Sequence, residues 1–263
     1  MSNPFDVLAP AYDDEFTLSP IARYLRDKVQ ARLLAHFTSP QHVLELGCGT
    51  GEDALFLAEH GLHITATDFS DEMLAITRQK TAHTERVYTE KLNLDTPPKS
   101  LQHTPQKGLF DGAYSNFGVI NCVHDRPQLA HWLAQFLKPN AIVGFAIMSP
   151  LCIWEIAWHI AHFKWAIATR RFATSHFQPT PTSESINVYY PSPHQLMREF
   201  APFFDCVALQ PLGVFLPPTA LYPVAEKRPR LFKRLLSLES RFGNTRPLAI
   251  LADHYWIEFR KKA

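Results

Sequence analysis

The stretch Val43-Leu44-Glu45-Leu46-Gly47-Cys48-Gly49-Thr50-Gly51 places three of the chain's ten glycines within five residues, directly after a short apolar run. Seventeen residues beyond Gly51 a second apolar run, Ile64-Thr65-Ala66-Thr67-Asp68, ends on an acid. The first run reads as a buried parallel strand and the glycines as a tight strand-to-helix turn where a ligand meets bare backbone. Asp68 reads as an acceptor for ribose hydroxyls. The pairing predicts a nucleoside-cofactor site. A dinucleotide fingerprint requires its third glycine at position 52, where this chain has Glu52. Glu45 puts a carboxylate beneath the loop, and Glu52 and Asp53 add negative charge at the start of the helix. These acids repel a pyrophosphate and compete with any anion for the helix end, so they suit a cationic ligand.

The composition fits one enlarged soluble domain. The 263 residues are 46% hydrophobic and 19% charged, enough apolar material for a sizeable core. Lys+Arg number 26 against Asp+Glu 25, so no global field attracts a polyanion and no nucleic-acid partner is expected. The segment Met1-Ser2-Asn3-Pro4-Phe5-Asp6 lacks the basic-then-apolar signature of a signal peptide. Cys48, Cys122, Cys152 and Cys206 are scattered and form no C-x-x-C pair. That usage argues for a reduced cytoplasmic setting with no metal or cluster site, each thiol serving as a small buried hydrophobe.

Strands and helices alternate along the chain. Ser19-Pro20 is an N-cap and first-turn proline for a helix over 19–37, with Ile21, Leu25, Val29, Leu33 and Leu34 at helical spacing. Ala54, Leu55, Leu57 and Ala58 form the apolar face of the helix after the loop, and His60-Gly61 stops it. Ser70-Asp71-Glu72 caps the next helix, through about His83. Strands are predicted over 87–94, 109–115, 141–148, 207–214 and 254–260, with helices over 126–137 and 193–200. This is an α/β pattern: a doubly wound sheet whose ligand binds at the carboxyl ends of its strands.

The glycine loop with its preceding acid resembles motif I of the class I S-adenosylmethionine (SAM)-dependent methyltransferases. The resemblance extends over about residues 5 to 148 and implies a Rossmann-like seven-stranded sheet, mostly parallel with an antiparallel last strand. It implies that Glu45, Gly47, Cys48, Gly49 and Gly51 surround the methionine end of SAM and that Asp68 holds the ribose. Asp68-Phe69-Ser70-Asp71-Glu72-Met73 is similar to the family's next segment, where Phe69 and Met73 pack around the adenine. Leu94-Asp95 falls where the family places an acceptor for the adenine amino group, and Ser115, Asn116 and Phe117 resemble motif IV at the rim beside the methyl group. Leu137-Lys138-Pro139-Asn140 departs from the usual Leu-Lys-Pro-Gly-Gly turn, but Asn also tolerates left-handed geometry. The amino-methylating Asn-Pro-Pro-Tyr form is absent from this sequence. Phe5 to Asp13 resembles the Ala-x-x-Tyr-Asp lead-in of small-molecule methyltransferases, which makes Tyr12 a lid over the reaction site. Arg23, on the following helix, is the candidate for the methionine carboxylate.

Residues 149–190 exceed an ordinary crossover and are read as a helical cap after strand five, between a SAM-binding core (1–148) and a C-terminal completion of the sheet (191–263). Trp154, Ala157, Trp158, Ala161 and Trp165 fall on one helical stripe, either core or the roof of a substrate cavity. Glu155, His159 and His162 lie on the adjacent face as a partly solvated polar surface, and the run is too short and polar to span a bilayer. Tyr189-Tyr190-Pro191-Ser192-Pro193 resembles the family's entry to its last helix, with Tyr189 toward substrate. A basic helix containing Lys227, Arg228, Arg230, Lys233, Arg234 and Arg241 reads as a solvated face, or as an attraction for an acidic substrate, an acidic partner or an anionic lipid surface in peripheral membrane contact.

The function implied is methyl transfer from SAM, leaving S-adenosylhomocysteine (SAH), to a small apolar or aromatic acceptor at oxygen. Transfer to nitrogen or carbon, or SAM binding without catalysis, are the alternatives. His124, beside Asp125 after the rim of strand four, is the candidate base, with Tyr12 as its catalytic companion. The sequence leaves the acceptor and the oligomeric state open.

Overall fold

The computed structural model describes residues 3–105, 108–181, 183–243 and 245–263. Runs of five or six residues become parallel strands, β1 (His42–Leu46), β2 (His63–Asp68) and β4 (Phe110–Ser115) inside the sheet and the more polar β3 (Val87–Lys91) at its edge. They are joined by β5 (Leu137–Met148), a short hairpin of β6 (Ser175–Phe177) and β7 (Ile186–Val188), then β8 (Phe204–Leu212) and β9 (His254–Lys261). The main sheet has seven strands in the order β3-β2-β1-β4-β5-β9-β8. β9 runs antiparallel to both neighbours, and every other pairing is parallel. The fold is therefore the doubly wound α/β sheet with an antiparallel last strand.

The helices are α1 (Pro4–Leu8), α2 (Pro20–His36), α3 (Glu52–Glu59), α4 (Asp71–Lys80), α5 (Arg126–Phe136), α6 (Ile153–Ala161), α7 (Trp165–Ala168), α8 (Pro193–Phe200), α9 (Tyr222–Glu226) and α10 (Pro229–Phe242). Ser19, Ser70, Asp125 and Ser192 cap α2, α4, α5 and α8, each accepting from a backbone N–H three residues on. Two clusters cover the two faces of the sheet. One is built from Ile21, Leu25, Val29 and Leu33 of α2 with Leu57 of α3, and the other from Leu129 and Leu133 of α5 with Leu196 and Phe200 of α8.

Several boundaries differ from the sequence pattern for local reasons. β3 ends at Lys91, because the Asn93 side chain accepts from the Asp95 N–H and turns the chain out of the sheet. β8 covers 204–212 and stops where Gly213 adopts φ +77°. β5 begins at Leu137, directly after α5, and Asn140 sits at φ +63°, the left-handed position its amide tolerates.

The single helical stripe expected from Trp154 to Trp165 does not form. α6 ends at Ala161, Phe163 turns the chain at φ +57°, and Trp165 opens the separate helix α7. Nor is Glu155 on a solvated face. It is buried and ion-paired with Arg170 and Arg171, and Arg171 also reaches Asp253 at 2.6 Å. This network ties 149–172 to the start of β9. The Trp158 and His162 rings lie in tilted contact with centroids 4.2 Å apart, and no group of three metal-ligating side chains exists among the described residues.

Candidate active site

The order of the sheet reverses between β1 and β4, and the segments leaving the carboxyl ends of β1, β2, β3 and β4 enclose one cavity. Each glycine of the loop has its own reason. A Cβ on Gly47 would stand 2.4 Å from Val119 Cγ2, and one on Gly51 2.7 Å from Thr77 Cγ2, so both are needed for close packing. A Cβ on Gly49 would meet only Tyr12, at 3.9 Å. Gly49 thus leaves open backbone toward the cavity, and its N–H donates to Asp68 Oδ2 at 2.9 Å. The Ser70 N–H donates to Asp68 Oδ1, and these bonds fix the carboxylate at the end of β2 although burial raises its pKa.

Beneath the loop the charges are unevenly matched. Asp53, at the start of α3, accepts from Arg26 Nη1 at 2.6 Å, Gln30 Nε2 at 2.8 Å and Asn116 Nδ2 at 2.9 Å. Glu45 is only 2% exposed and forms no ion pair with a described residue. Burial, then the nearby Asp53 charge, raises its carboxyl well above the ordinary range. Three buried polar atoms on cavity-lining residues meet no partner at ordinary hydrogen-bond geometry among the described residues: the acceptors Glu45 Oε2, with the Tyr114 hydroxyl beside its carboxyl, and Asn116 Oδ1, and the donor Arg26 Nε. Two acceptors beside one donor match an α-amino acid head group, whose ammonium donates and whose carboxylate accepts.

Glu45, Gly47, Cys48, Gly49, Asp68, Phe69, Met73, Leu94, Asp95, Asn116, Phe117 and Tyr12 all line this cavity. Other candidates do not. Arg23 is exposed off the cavity, whereas Arg26, one turn further along α2, lines it. Ser115 is buried and donates to the Leu46 carbonyl, whereas Gly51 supports the loop from behind against Thr77. Trp154, Trp158 and Tyr189 lie outside the lining, and among the described residues the 149–190 segment reaches the cavity through Ile186.

His124 is exposed one residue beyond Val123, which does line the cavity. Its Nδ1 is 2.9 Å from the Tyr189 hydroxyl, and its N–H donates to Asp95 Oδ1 at 2.7 Å. Asp125 does not orient His124 as expected, because its side chain caps α5. Burial raises the Tyr12 hydroxyl and pushes the Cys122 thiol up to about 12, so both are protonated at neutral pH. Phe117 adopts φ +54°, a costly conformation for a bulky residue, with its ring 5.1 Å from the Arg26 guanidinium carbon. Arg26, Asp53, Val119 and Ile186 were not among the sequence candidates. Arg23 and Arg26 share one helix, and only the fold brings Arg26 and the other three to the cavity.

Residues 44–143 match the family model of the methyltransferase domain. This part of the core is similar to a methyltransferase domain. Over about half of its length the chain is similar to a demethylmenaquinone methyltransferase of Clavibacter sepedonicus, 30% identical over 140 residues, which are 53% of this chain and 54% of that protein. The chain thus spans about half the length of that relative. A malonyl-[acyl-carrier protein] O-methyltransferase of Pectobacterium atrosepticum is 26% identical over 211 residues, covering 80% of this chain and 75% of its own length. The crystal structure of an S-adenosylmethionine dependent methyltransferase from Mesorhizobium loti superposes with a TM-score of 0.56 at 17% identity, over 90% of this chain and 97% of that one. That likeness shows the fold. In the methyltransferase domain the matched region runs from β1 to β5 and contains the glycine loop and Asp68.

Proposed function

We propose that the cavity holds SAM and that the chain transfers its methyl group to a small apolar or aromatic acceptor, at oxygen. The observation that supports this reading is the set of unpartnered buried atoms, Glu45 Oε2, Asn116 Oδ1 and Arg26 Nε, on residues that line one cavity together with the open backbone of Gly49. In this reading Glu45 and Asn116 accept from the ammonium, Arg26 donates to the carboxylate, and Asp68 accepts from the ribose diol. Phe69, Met73 and Leu94 pack on the adenine, with Asp95 at its edge. Glu45 disfavours a pyrophosphate in the same place, which separates this cavity from a dinucleotide site.

Bound SAM supplies an already activated methyl group. What remains for the protein is alignment, exclusion of water and removal of one proton where the acceptor is an alcohol. Near-attack alignment supplies roughly 7–11 kcal/mol, and a general base about 10²–10⁴-fold. Tyr12, protonated over Gly49, closes the reaction side and donates. His124, held by Asp95 and Tyr189, takes the proton, and residues 149–190 with Trp154, Trp158 and Tyr189 form the acceptor side. An oxygen acceptor also agrees with the O-methyltransferase name of the Pectobacterium relative.

Titration calorimetry with SAM, SAH and NAD tests the cofactor reading. Tight NAD binding without SAM or SAH binding would sink it. SAH release across phenols, hydroxylated lipids and amines then tests transfer, and silence for every acceptor class despite tight SAM binding would leave a binding protein of the same fold.

A further inference from the structure

The large exposed apolar side chains of this protein are unevenly placed. Apart from Tyr88 and Val207, every such side chain among the described residues belongs to a segment at the carboxyl end of the sheet: before α2, after β2, after β5, or between β8 and β9. β8 ends at Leu212 opposite His254, the first residue of β9, so the α9–α10 connection leaves and re-enters the sheet at that end. Ile153 after β5 bonds to the Leu251 carbonyl, which joins the two later segments. Single exposed apolar groups scattered over a surface need no explanation, but their concentration at one end of the sheet does.

Two features say what covers this end. Phe163, at the turn between α6 and α7, is 82% exposed and is followed by Lys164 and by Trp165 at 57%. In α10, Phe232, Leu235 and Leu236 pack against the core, yet Leu231, Leu238 and Phe242 form a second, outward stripe at i, i+7 and i+11. The exposed Arg230, Lys233, Arg234 and Arg241 surround that stripe, and none of them forms an ion pair with a described residue. The net charge of the chain is only +1, so this excess is local. Exposed aromatics with long basic side chains suit the interface of an anionic bilayer, where rings enter the headgroup layer and guanidinium groups meet phosphates.

We propose that the carboxyl end of the sheet docks on an anionic phospholipid bilayer through the Phe163 turn and the outward face of α10, with the cavity on the membrane-facing side. The surface goes beyond the methyl-transfer reading and does not depend on it.

The test is sedimentation of the full chain with vesicles of phosphatidylcholine alone or mixed with phosphatidylglycerol. Binding is expected to the mixed vesicles only, to weaken at high salt, and to fall roughly tenfold or more in Arg230→Glu/Arg234→Glu. Phe163→Ser should weaken it too, while Arg86→Glu, on the opposite end of the sheet, retains it. SAH binding and thermal midpoint report that each variant is folded. No binding of the wild type to anionic vesicles overturns the proposal, as does an equal loss in Arg86→Glu. Binding to a small acidic protein but to neither vesicle would also overturn it, since that would make the basic face a protein contact.

Discussion

Arg26 Nη1 lies 2.6 Å from Asp53 Oδ2 and pairs with that buried carboxylate, while Glu45, whose carboxyl burial and then Asp53 push up against the weaker pull of Arg26, forms no ion pair with a described residue. The free protein therefore keeps a buried acid whose charged form is disfavoured until a cationic ligand arrives. Glu45→Gln should separate stability from binding. A carboxyl raised in the folded state contributes stability that is full below its unfolded pKa and lost as pH rises through the folded value. At neutral pH the substitution should thus raise Tm, by roughly 2–4 °C for each kcal/mol recovered. SAM affinity should fall by the roughly 1.5–3 kcal/mol of a charged hydrogen bond. Scanning calorimetry and isothermal titration on the same variant check both signs, and a lowered Tm would remove the argument.

The same acid gives SAM binding a pH dependence. Because the bound ammonium favours ionised Glu45, binding releases a proton wherever the free protein holds one. Affinity should rise with pH through the raised Glu45 range, by about tenfold per unit at most, and level off above it. Titrations in buffers of different ionisation heat count the released proton directly. In Glu45→Gln that count should drop to zero.

The two arginines of α2 should behave differently. Arg26→Met strands Asp53 without its cation and leaves the ligand carboxylate without its donor, so loss of SAM binding should accompany destabilisation of about 3–5 kcal/mol. Arg23→Ala touches an exposed side chain and should change stability by no more than about 0.5 kcal/mol, with SAM binding intact. Denaturant melts and calorimetry on both variants distinguish the assignments, and the reverse pattern would restore Arg23 to the site.

Much of this arrangement was legible in the sequence because it depends on short-range rules. Glycine spacing, an acid ending a strand and serine caps before helices each act within a few residues, and the β1–α3–β2 unit follows from them. The cap is different. Trp154 to Trp165 has helical spacing, but spacing does not reveal that Phe163 turns the chain left-handed or that Glu155 is drawn inward by Arg171, itself held by Asp253 far along the chain. Arg26 was missed because Arg23 and Arg26 lie on one helix, and only the position of the loop above it decides which guanidinium faces the cavity.

The segment from 149 to 190 should govern the acceptor and spare the cofactor. Trp158 contacts His162 outside the cavity lining, so Trp158→Ala should raise the KM for an active acceptor with SAH affinity unchanged within about 0.5 kcal/mol. Steady-state kinetics beside SAH titration makes the comparison. Loss of SAH binding from a folded Trp158→Ala variant, with acceptor KM unchanged, would mean that the segment serves the cofactor side.

Proton removal is the final point, and the groups around the cavity narrow it. Cys122 and Tyr12 hold their protons at neutral pH, and Asp95 already accepts from the His124 N–H, so an alcohol acceptor needs the imidazole just beyond Val123. His124 Nδ1 meets the Tyr189 hydroxyl, which leaves Nε2 free of protein partners among the described residues. If His124 is the base, His124→Ala should lower turnover by about 10²-fold or more at unchanged SAM affinity, and Tyr189→Phe should shift the pH profile without abolishing turnover. If alignment dominates, as with an amine bound neutral, the loss in His124→Ala stays small and nearly independent of pH. Tyr12→Phe removes a donor but no base, so its cost should appear in kcat without moving the pH profile. Full turnover in the His124→Ala/Tyr12→Phe double variant would remove both residues from the reaction and leave catalysis to the placement of the acceptor alone.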